Sequence, residues 1–225
     1  MQGNELLQTT KTLNAATSTA LFLRHAERYE LTDYRTSFAV ELTPNGKQMA
    51  ERFGNQLPVN KPVRLFHSPL KRCRQTAEGI ARGATAAGLA VEFVGEQPIL
   101  GVGFILDEAK TEKLAMHYGL DFIRAWFSGQ IGSDVIKPPR QIAQEYLEYL
   151  AARLSEDALP GRLDIHVSHD WNTMVLRELM LGIRHEEAGW LDYLDGLAIQ
   201  MEHNGLQVFY REHTASQATP WVFRV

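Results

Sequence analysis

The sequence predicts an α/β sandwich of three layers, with a mostly parallel central sheet and helices on both faces. Three observations carry this expectation. Short β-rich apolar runs at 19–23, 63–67, 91–94 and 163–167 have the length and composition of buried strands. Longer stretches of helical character follow nearly all of them, the pattern of parallel strands joined by crossovers. Proline or glycine closes or opens the helical stretches, at Pro58, Gly88, Pro138-Pro139 and Gly182.

Taken in order, Thr43 supplies an N-cap and Pro44 a first-turn proline for a helix running to about residue 57, where Pro58 stops it. A second helix is expected at 70–87, closed by Gly88, a third at 141–154 after the proline pair, and a fourth at 171–181 with Gly182 behind it. The end of the chain holds two candidate strands, 197–202 and 206–212, joined by His203-Asn204-Gly205. Asn-Gly is a strong hairpin signal, so these strands are expected to form an antiparallel edge. Residues 98–139 are less regular. They contain a helix-like segment at 107–118 and the pair Trp126-Phe127, read as core, and are expected to form a small helical cap over the sheet.

A chain of 225 residues is near the upper limit for one core, and no linker-like composition divides it. The expected organisation is a flexible N-terminal lead-in at 1–18 and a single domain at 19–225, with 98–139 as a cap insertion. Apolar content of 44% with 22% charged residues is that of a soluble globular protein, and the apolar runs are too short to cross a bilayer, so no membrane partner is expected. Segment 1–18 is polar, with Lys11 its one basic residue and no apolar stretch of a secretion signal. Cys73, the single cysteine, excludes an internal disulfide and reads as a packed small side chain. These features point to the cytoplasm. The net charge of −4 leaves no footprint for nucleic acid, so the expected partner is small. Oligomeric state has no signature in the sequence.

In open α/β sheets ligands bind at the carboxyl ends of the strands, so those ends matter most. The first strand runs into Arg24-His25-Ala26-Glu27-Arg28, one imidazole between two guanidiniums. The second runs into Ser68-Pro69-Leu70-Lys71-Arg72, which places Arg72 in the first turn of a helix, where the positive end favours anions. The fourth runs into His169-Asp170-Trp171-Asn172. Several forked cations around one imidazole suit a phosphoryl group, because each guanidinium can donate two parallel hydrogen bonds and keeps its charge. Lys71 and Arg74 flank Arg72 and read as solvent charges. The remaining histidines, His67, His117, His166, His185, His203 and His213, read as structural or surface residues.

In these three motifs the chain resembles the histidine phosphatase superfamily. Arg24-His25-Ala26 stands for its Arg-His-Gly, residues 68–77 for its Ser-Pro-Leu-x-Arg-x-x-Gln-Thr-Ala, and His169 for its late histidine at a strand end. Arg24-His25-x-x-Arg28 and the pair His169-Asp170 are similar to the acid phosphatase and phytase branch in particular. The chain departs from that branch in its length, in Glu30 where a proline is usual, and in lacking the cysteines for disulfides. The resemblance implies a phosphoglycerate mutase-like fold and a phosphomonoester hydrolase acting through a phosphohistidine, without metal or other cofactor, on a small phosphorylated substrate.

On that resemblance His25 is the nucleophile, Arg24, Arg28, Arg72 and His169 hold the phosphoryl oxygens, and Asn172 is a further candidate for the phosphate. Asp170 is the expected proton donor, with Glu96, Asp107 and Glu108 as rivals; N-capping of the following helix is its structural alternative. Neighbouring positive charge favours a neutral His25, as attack requires, and a backbone carbonyl is expected to orient its other nitrogen. Ala26 departs from the family glycine, which permits positive φ or close approach of the backbone. Other readings are a phosphate-ligand binder without turnover, a phosphomutase, and a metallohydrolase using His166, His169 and Asp170. Strand alternation opposes the last by turning His166 away from His169. Selectivity is expected from 98–139 and the loop 29–38, with Arg35, Lys110, Arg124 and Lys137 as candidates to meet an anionic leaving group.

Overall fold

A computed structural model describes residues 4–31, 36–58, 61–156, 161–202 and 205–218. Arg35, His203 and Asn204 therefore lie outside the described residues. Strands β1 (Thr19–Arg24), β2 (Val63–His67), β3 (Val91–Glu96) and β4 (Leu163–Ser168) are mutually parallel, and β5 (Gly196–Glu202), β6 (Gly205–Tyr210) and β7 (His213–Ala218) extend the sheet antiparallel. Their order is β3-β2-β4-β1-β5-β6-β7. The described helices are α1 (Asn4–Thr12), α2 (Pro44–Asn55), α3 (Lys71–Ala86), α4 (Glu108–Tyr118), α5 (Phe122–Phe127), α6 (Pro139–Leu154), α7 (Asp170–Leu181) and the single turn α8 (His185–Ala188).

Period-two alternation along the buried strands divides the apolar residues between two cores. Leu21 and Leu23 of β1 face the same side as Leu65, Ile165 and Val167, where Phe53 of α2 and Ile80 of α3 complete the packing. Ala20 and Phe22 face the other side with Phe66, against Tyr146 and Leu150 of α6 and Val175 of α7. Each such fully buried Leu, Ile, Val or Phe contributes about 1.5–3 kcal/mol relative to exposure, which is why α2–α3 and α6–α7 are held on opposite faces.

Local signals account for the helix ends. The Thr43 hydroxyl accepts from the Gly46 N–H at 2.9 Å while Pro44 occupies the first turn. Gly182 closes α7 in the left-handed region, φ 74°, with its N–H on the Glu178 carbonyl.

The structure departs from the sequence-based expectation in three places. Part of the lead-in is helical and packed: α1 buries Leu6 and Leu7 (each 2% exposed) against the antiparallel side of the sheet, two leucines that the polar composition of the segment conceals. A third antiparallel strand, β7, follows β6 through a turn at Arg211-Glu212, where Arg211 takes φ 54° without any turn-forming residue to announce it. The 98–139 insertion does not merely cover the sheet. Phe104, Phe122, Ile123 and Trp126 enter the same core as α6 and α7, and the Trp126 indole donates to the Lys137 carbonyl at 2.9 Å. Among the described residues no helix is long and apolar enough to cross a membrane.

Gly46 sits where α2 crosses the loop after β1. A Cβ placed there would lie 1.9 Å from the Glu27 carbonyl oxygen. Glu27 is itself tied to α2, accepting from the Thr43 hydroxyl and, at 2.9 Å, from the Asn45 amide. Gly46→Ala is expected to lower stability by about 1–3 kcal/mol through backbone overlap, read as a lower denaturant midpoint with unchanged slope.

Candidate functional site

Parallel register sets the site. Arg24 lies opposite Ser168 in the β1–β4 ladder, and His67 lies opposite Val167 in the β2–β4 ladder, so three strands end at one level. The ladder continues one step further, the His25 N–H donating to the Ser168 carbonyl and the Ser68 N–H to the Val167 carbonyl, each at 3.0 Å. His25, Ser68 and His169 are thereby brought to a single edge, with the two imidazole centroids 5.6 Å apart and meeting edge-on.

Arg72, the second residue of α3, fills the space between them. Its Nε donates to His25 Nε2 at 3.0 Å, its Nη2 to His169 Nδ1 at 3.2 Å, and its Nη1 to the Ser37 carbonyl at 2.7 Å. The other nitrogen of His25, Nδ1, meets the Ala26 carbonyl at 2.7 Å. A carbonyl can only accept, so Nδ1 carries the proton and the lone pair resides on Nε2, facing Arg72. The other nitrogen of His169, Nε2, meets the Ser68 hydroxyl at 2.9 Å. Because Arg72 can only donate, His169 Nδ1 accepts and Nε2–H donates to Ser68.

Burial, followed by the neighbouring charges of Arg72 and others, holds the pKa of both His25 and His169 well below the usual histidine range. Burial also pulls Arg72 downward, with Arg28 and Arg24 adding to the effect, although a guanidinium stays charged in water-exposed and buried settings alike. Burial pushes the Cys73 thiol up to about 12. Cys73 is a packed protonated side chain against the Ser168 carbonyl, not a nucleophile.

Arg24 reaches the site from below. Its guanidinium lies 4.3 Å from the Tyr193 ring centre, donates to the Leu191 carbonyl and pairs with Asp170 Oδ2 at 3.2 Å, while its buried Nε has no partner among the described residues. Asp170 accepts from its neighbour, the Trp171 N–H, at 3.0 Å and from the Trp190 indole at 2.9 Å. His169, with extended φ and ψ, occupies the N-cap position of α7 without a side-chain capping bond, and Asp170 is the first helical residue, so Asp170 does not take the capping role considered for it. Arg28 donates to the Tyr29 carbonyl and borders the same cleft. Lys71 pairs with Glu41 and Arg74 with Glu78 on the exposed side of α3, as solvent charges do.

Six expected residues therefore converge: Arg24, His25, Arg28, Arg72, His169 and Asp170. Asn172 does not join them. It is fully buried, and its amide donates to the Leu100 and Gly101 carbonyls and to the Tyr146 hydroxyl, which ties α7 to the start of the insertion. The reason is helical phase: two residues beyond Asp170 the side chain has turned into the core. Of the rival acids, Glu96 is exposed at the end of β3, and Asp107 caps α4 through the Lys110 N–H. Glu108 borders the cleft. His166 turns to the opposite face, stacked on Phe66 at 4.6 Å and bonded to the Tyr149 hydroxyl, away from His169.

Ala26 takes no positive φ and is fully buried. Its N–H donates to the Thr76 hydroxyl at 3.0 Å, and that hydroxyl donates to the Arg72 carbonyl at 2.7 Å, so the loop bearing His25 is fastened to the helix bearing Arg72. Thr76 and Ser68 lie inside a motif quoted above without a role of their own. Trp190, Leu191 and Tyr193 had no sequence signal at all; they arrive from a loop held by Gly189 (φ 77°) and Leu194 (φ 61°).

Two buried imidazoles and three guanidiniums thus gather at the carboxyl edge of the parallel strands, an arrangement whose charge suits an anion. The model of the histidine phosphatase superfamily (branch 1) matches residues 20–93, which include the first strand, Arg24, His25, Arg28 and Arg72. Over those residues the chain is similar to that superfamily. Its structure is similar to a phosphoserine phosphatase from Entamoeba histolytica solved as a mutant with phosphoserine (17% identity, 87% of this chain and 97% of that one, TM-score 0.55). It is also similar to a mycobacterial glucosyl-3-phosphoglycerate phosphatase in complex with VO3 (18%, 86% and 98%, 0.57) and to YhfR of Bacillus stearothermophilus (16%, 86% and 96%, 0.55). At these identities the likeness is one of fold. A search of curated proteins finds no match. The acid phosphatase-like details at Arg28 and at His169-Asp170 rest on those residues alone, since the matching model is that of branch 1.

The buried histidines make stability depend on pH. His25, His169 and His166, the last drawn down to about 3 chiefly by burial, are neutral in the fold, whereas in the unfolded chain they protonate near 6.5. Their full contribution is present above pH 6.5 and is lost as the pH falls below it, because the unfolded chain then binds protons that the fold refuses. The expected slope is at most about 1.4 kcal/mol per pH unit for each histidine. Urea unfolding at a series of pH values from 7.5 downward checks this, and a flat profile across pH 6 would contradict it.

Proposed function

We propose that the chain is a phosphomonoester hydrolase that transfers the phosphoryl group to His25 and then to water. The reading rests on one observation above all: a neutral imidazole whose lone pair is fixed at Nε2 by the Ala26 carbonyl and directed at a cluster of guanidiniums. A lone pair there can attack phosphorus, and the surrounding cations offset the charge spread over the equatorial oxygens.

In the first half-reaction His25 Nε2 forms a bond to phosphorus as the ester P–O bond breaks. Arg72 exchanges its two imidazole acceptors for phosphate oxygens, and Arg24 and Arg28 add further donors. Once Arg72 has turned to the phosphate, His169 Nδ1 must donate rather than accept. The Ser68 hydroxyl allows this, because it can donate to Nε2 as readily as accept from it, and a tautomer shift then places the proton on Nδ1 toward the oxyanion. Asp170 gives a proton to the leaving oxygen. A dianion brought to Arg24 replaces the carboxylate as its partner, which leaves Asp170 beside the leaving oxygen. In the second half-reaction water attacks phosphorus, its proton passes to Asp170, the P–N bond breaks, and inorganic phosphate leaves. No metal or cofactor takes part in this scheme.

Glu108 is the second reading for the acid, because it borders the cleft from α4. Alkali-quenched protein treated with a phosphomonoester is expected to carry a phosphoryl group on His25 by peptide mass spectrometry, and His25→Ala to lose both the label and turnover. Absence of label under single-turnover conditions, with a phosphoester panel left intact, would turn the reading toward a phosphate-ligand binder. Asp170→Asn is expected to slow alkyl phosphates by about 10²–10⁴-fold and nitrophenyl phosphate much less, since only the poor leaving group needs the proton. Wild-type rates in Asp170→Asn together with a loss in Glu108→Gln would move the acid to α4.

A further inference from the structure

The cleft above the phosphate pocket has an asymmetric composition. Its cationic side chains, Arg28 and Arg72, both lie at the phosphate end, close enough to each other and to His169 for their charges to interact. The rest of the lining is largely apolar and aromatic: Leu31, Phe38, Val102, Ile105, Trp171 and Trp190. Phe38 and Trp190 are 54% and 47% exposed and so present part of their ring surface to the cleft. The acidic side chains that α4 adds to the lining are Glu108 and Glu112, one helical turn apart, with Thr111 beside them.

The described cations that might have received a second anionic group are engaged elsewhere. Lys110 pairs with Asp107 and Asp134, Arg124 with Glu178 and Glu186, and Lys137 with Glu145, and none of the three lines the cleft. A carboxylate or second phosphate on the leaving group would thus share the cleft with two glutamates, while the cations that line it, Arg28 and Arg72, are the ones the reading above commits to the transferred phosphate. A sugar-like leaving group would find few hydroxyl or amide partners along these walls. The cavity, about 350 Å³, is at the small end for ligand sites and suits a ring beside a phosphate.

We propose, building on the phosphatase reading above, that the leaving group of the substrate is an apolar, ring-bearing alcohol or phenol with no anionic group of its own. The aromatic side chains bind the ring, and Glu108 and Glu112 reject anionic competitors. Specificity of this kind comes as much from the repulsive wall as from the attractive one.

The test compares benzyl phosphate with 4-carboxybenzyl phosphate, a pair with the same reacting oxygen and similar size. The intact protein is expected to favour benzyl phosphate in kcat/KM by about tenfold or more, the size of effect that one uncompensated like-charge contact produces. Glu112→Gln is expected to narrow that ratio about fivefold. Phe38→Ala is expected to raise KM for benzyl phosphate and not for ethyl phosphate. Equal or preferred turnover of the carboxylated compound, with phosphate trapped on His25, would overturn the substrate class and leave the phosphatase standing. A ratio unmoved in Glu112→Gln would overturn the charge wall. If neither compound reacts and His25 takes no label, the phosphatase reading fails and the substrate class with it.

Discussion

The Arg72 guanidinium between two imidazoles is the interaction on which the site depends. Arg72 is only 7% exposed, and burying a cation is costly unless its donors find acceptors. It finds them in the lone pairs of His25 and His169 and in the Ser37 carbonyl, and those lone pairs exist only while both imidazoles are neutral. The charge of the arginine and the neutrality of the histidines therefore enforce each other. The same three-residue contact joins the carboxyl ends of β1 and β4 to the first turn of α3, so the chemistry of the site and the packing of the fold share one set of bonds.

Around this contact the charge does not balance. Arg24, Arg28 and Arg72 are met at the cleft floor by the carboxylate of Asp170, and the buried Nε of Arg24 has no partner among the described residues. Such a cluster carries excess positive charge, which suits an anion. Thr76 and Ala26 hold the loop, Ser68 holds His169, and the Trp190 indole holds Asp170, each through a hydrogen bond from a different element. At the opposite end of the sheet, buried Asp164 is satisfied by the forked guanidinium of Arg64 and by Arg162, so a second charged cluster there fastens α6 to β2 and β4 without any part in the cleft.

Much of this was legible in the chain. Alternating short apolar runs and capped helices specify parallel strands with crossovers, because strand and helix periods differ and each leaves its own pattern. The three strand-end motifs named Arg24, His25, Arg72 and His169 directly, since a parallel sheet delivers the residue after each strand to one edge. Thr43 and Gly182 marked helix ends because caps act through bonds within a few residues. Each of these is a local effect, written in residues that are neighbours along the chain.

What the sequence by itself determined, then, is the class of fold, the edge at which the chemistry gathers, and the residue types that gather there. Tertiary structure decided the rest. It turned Asn172 into the core to hold the insertion, put Asp170 inside α7 rather than at its cap, set the tautomer of His169 through Arg72, and brought Trp190 and Tyr193 from a loop after α8. It also drew Leu6 and Leu7 onto the sheet and gave the cleft its apolar wall and its two glutamates. The reason is common to all of them: each depends on partners far apart in sequence, whose meeting is set by register, helical phase and core packing, and no local pattern records a distance across the fold.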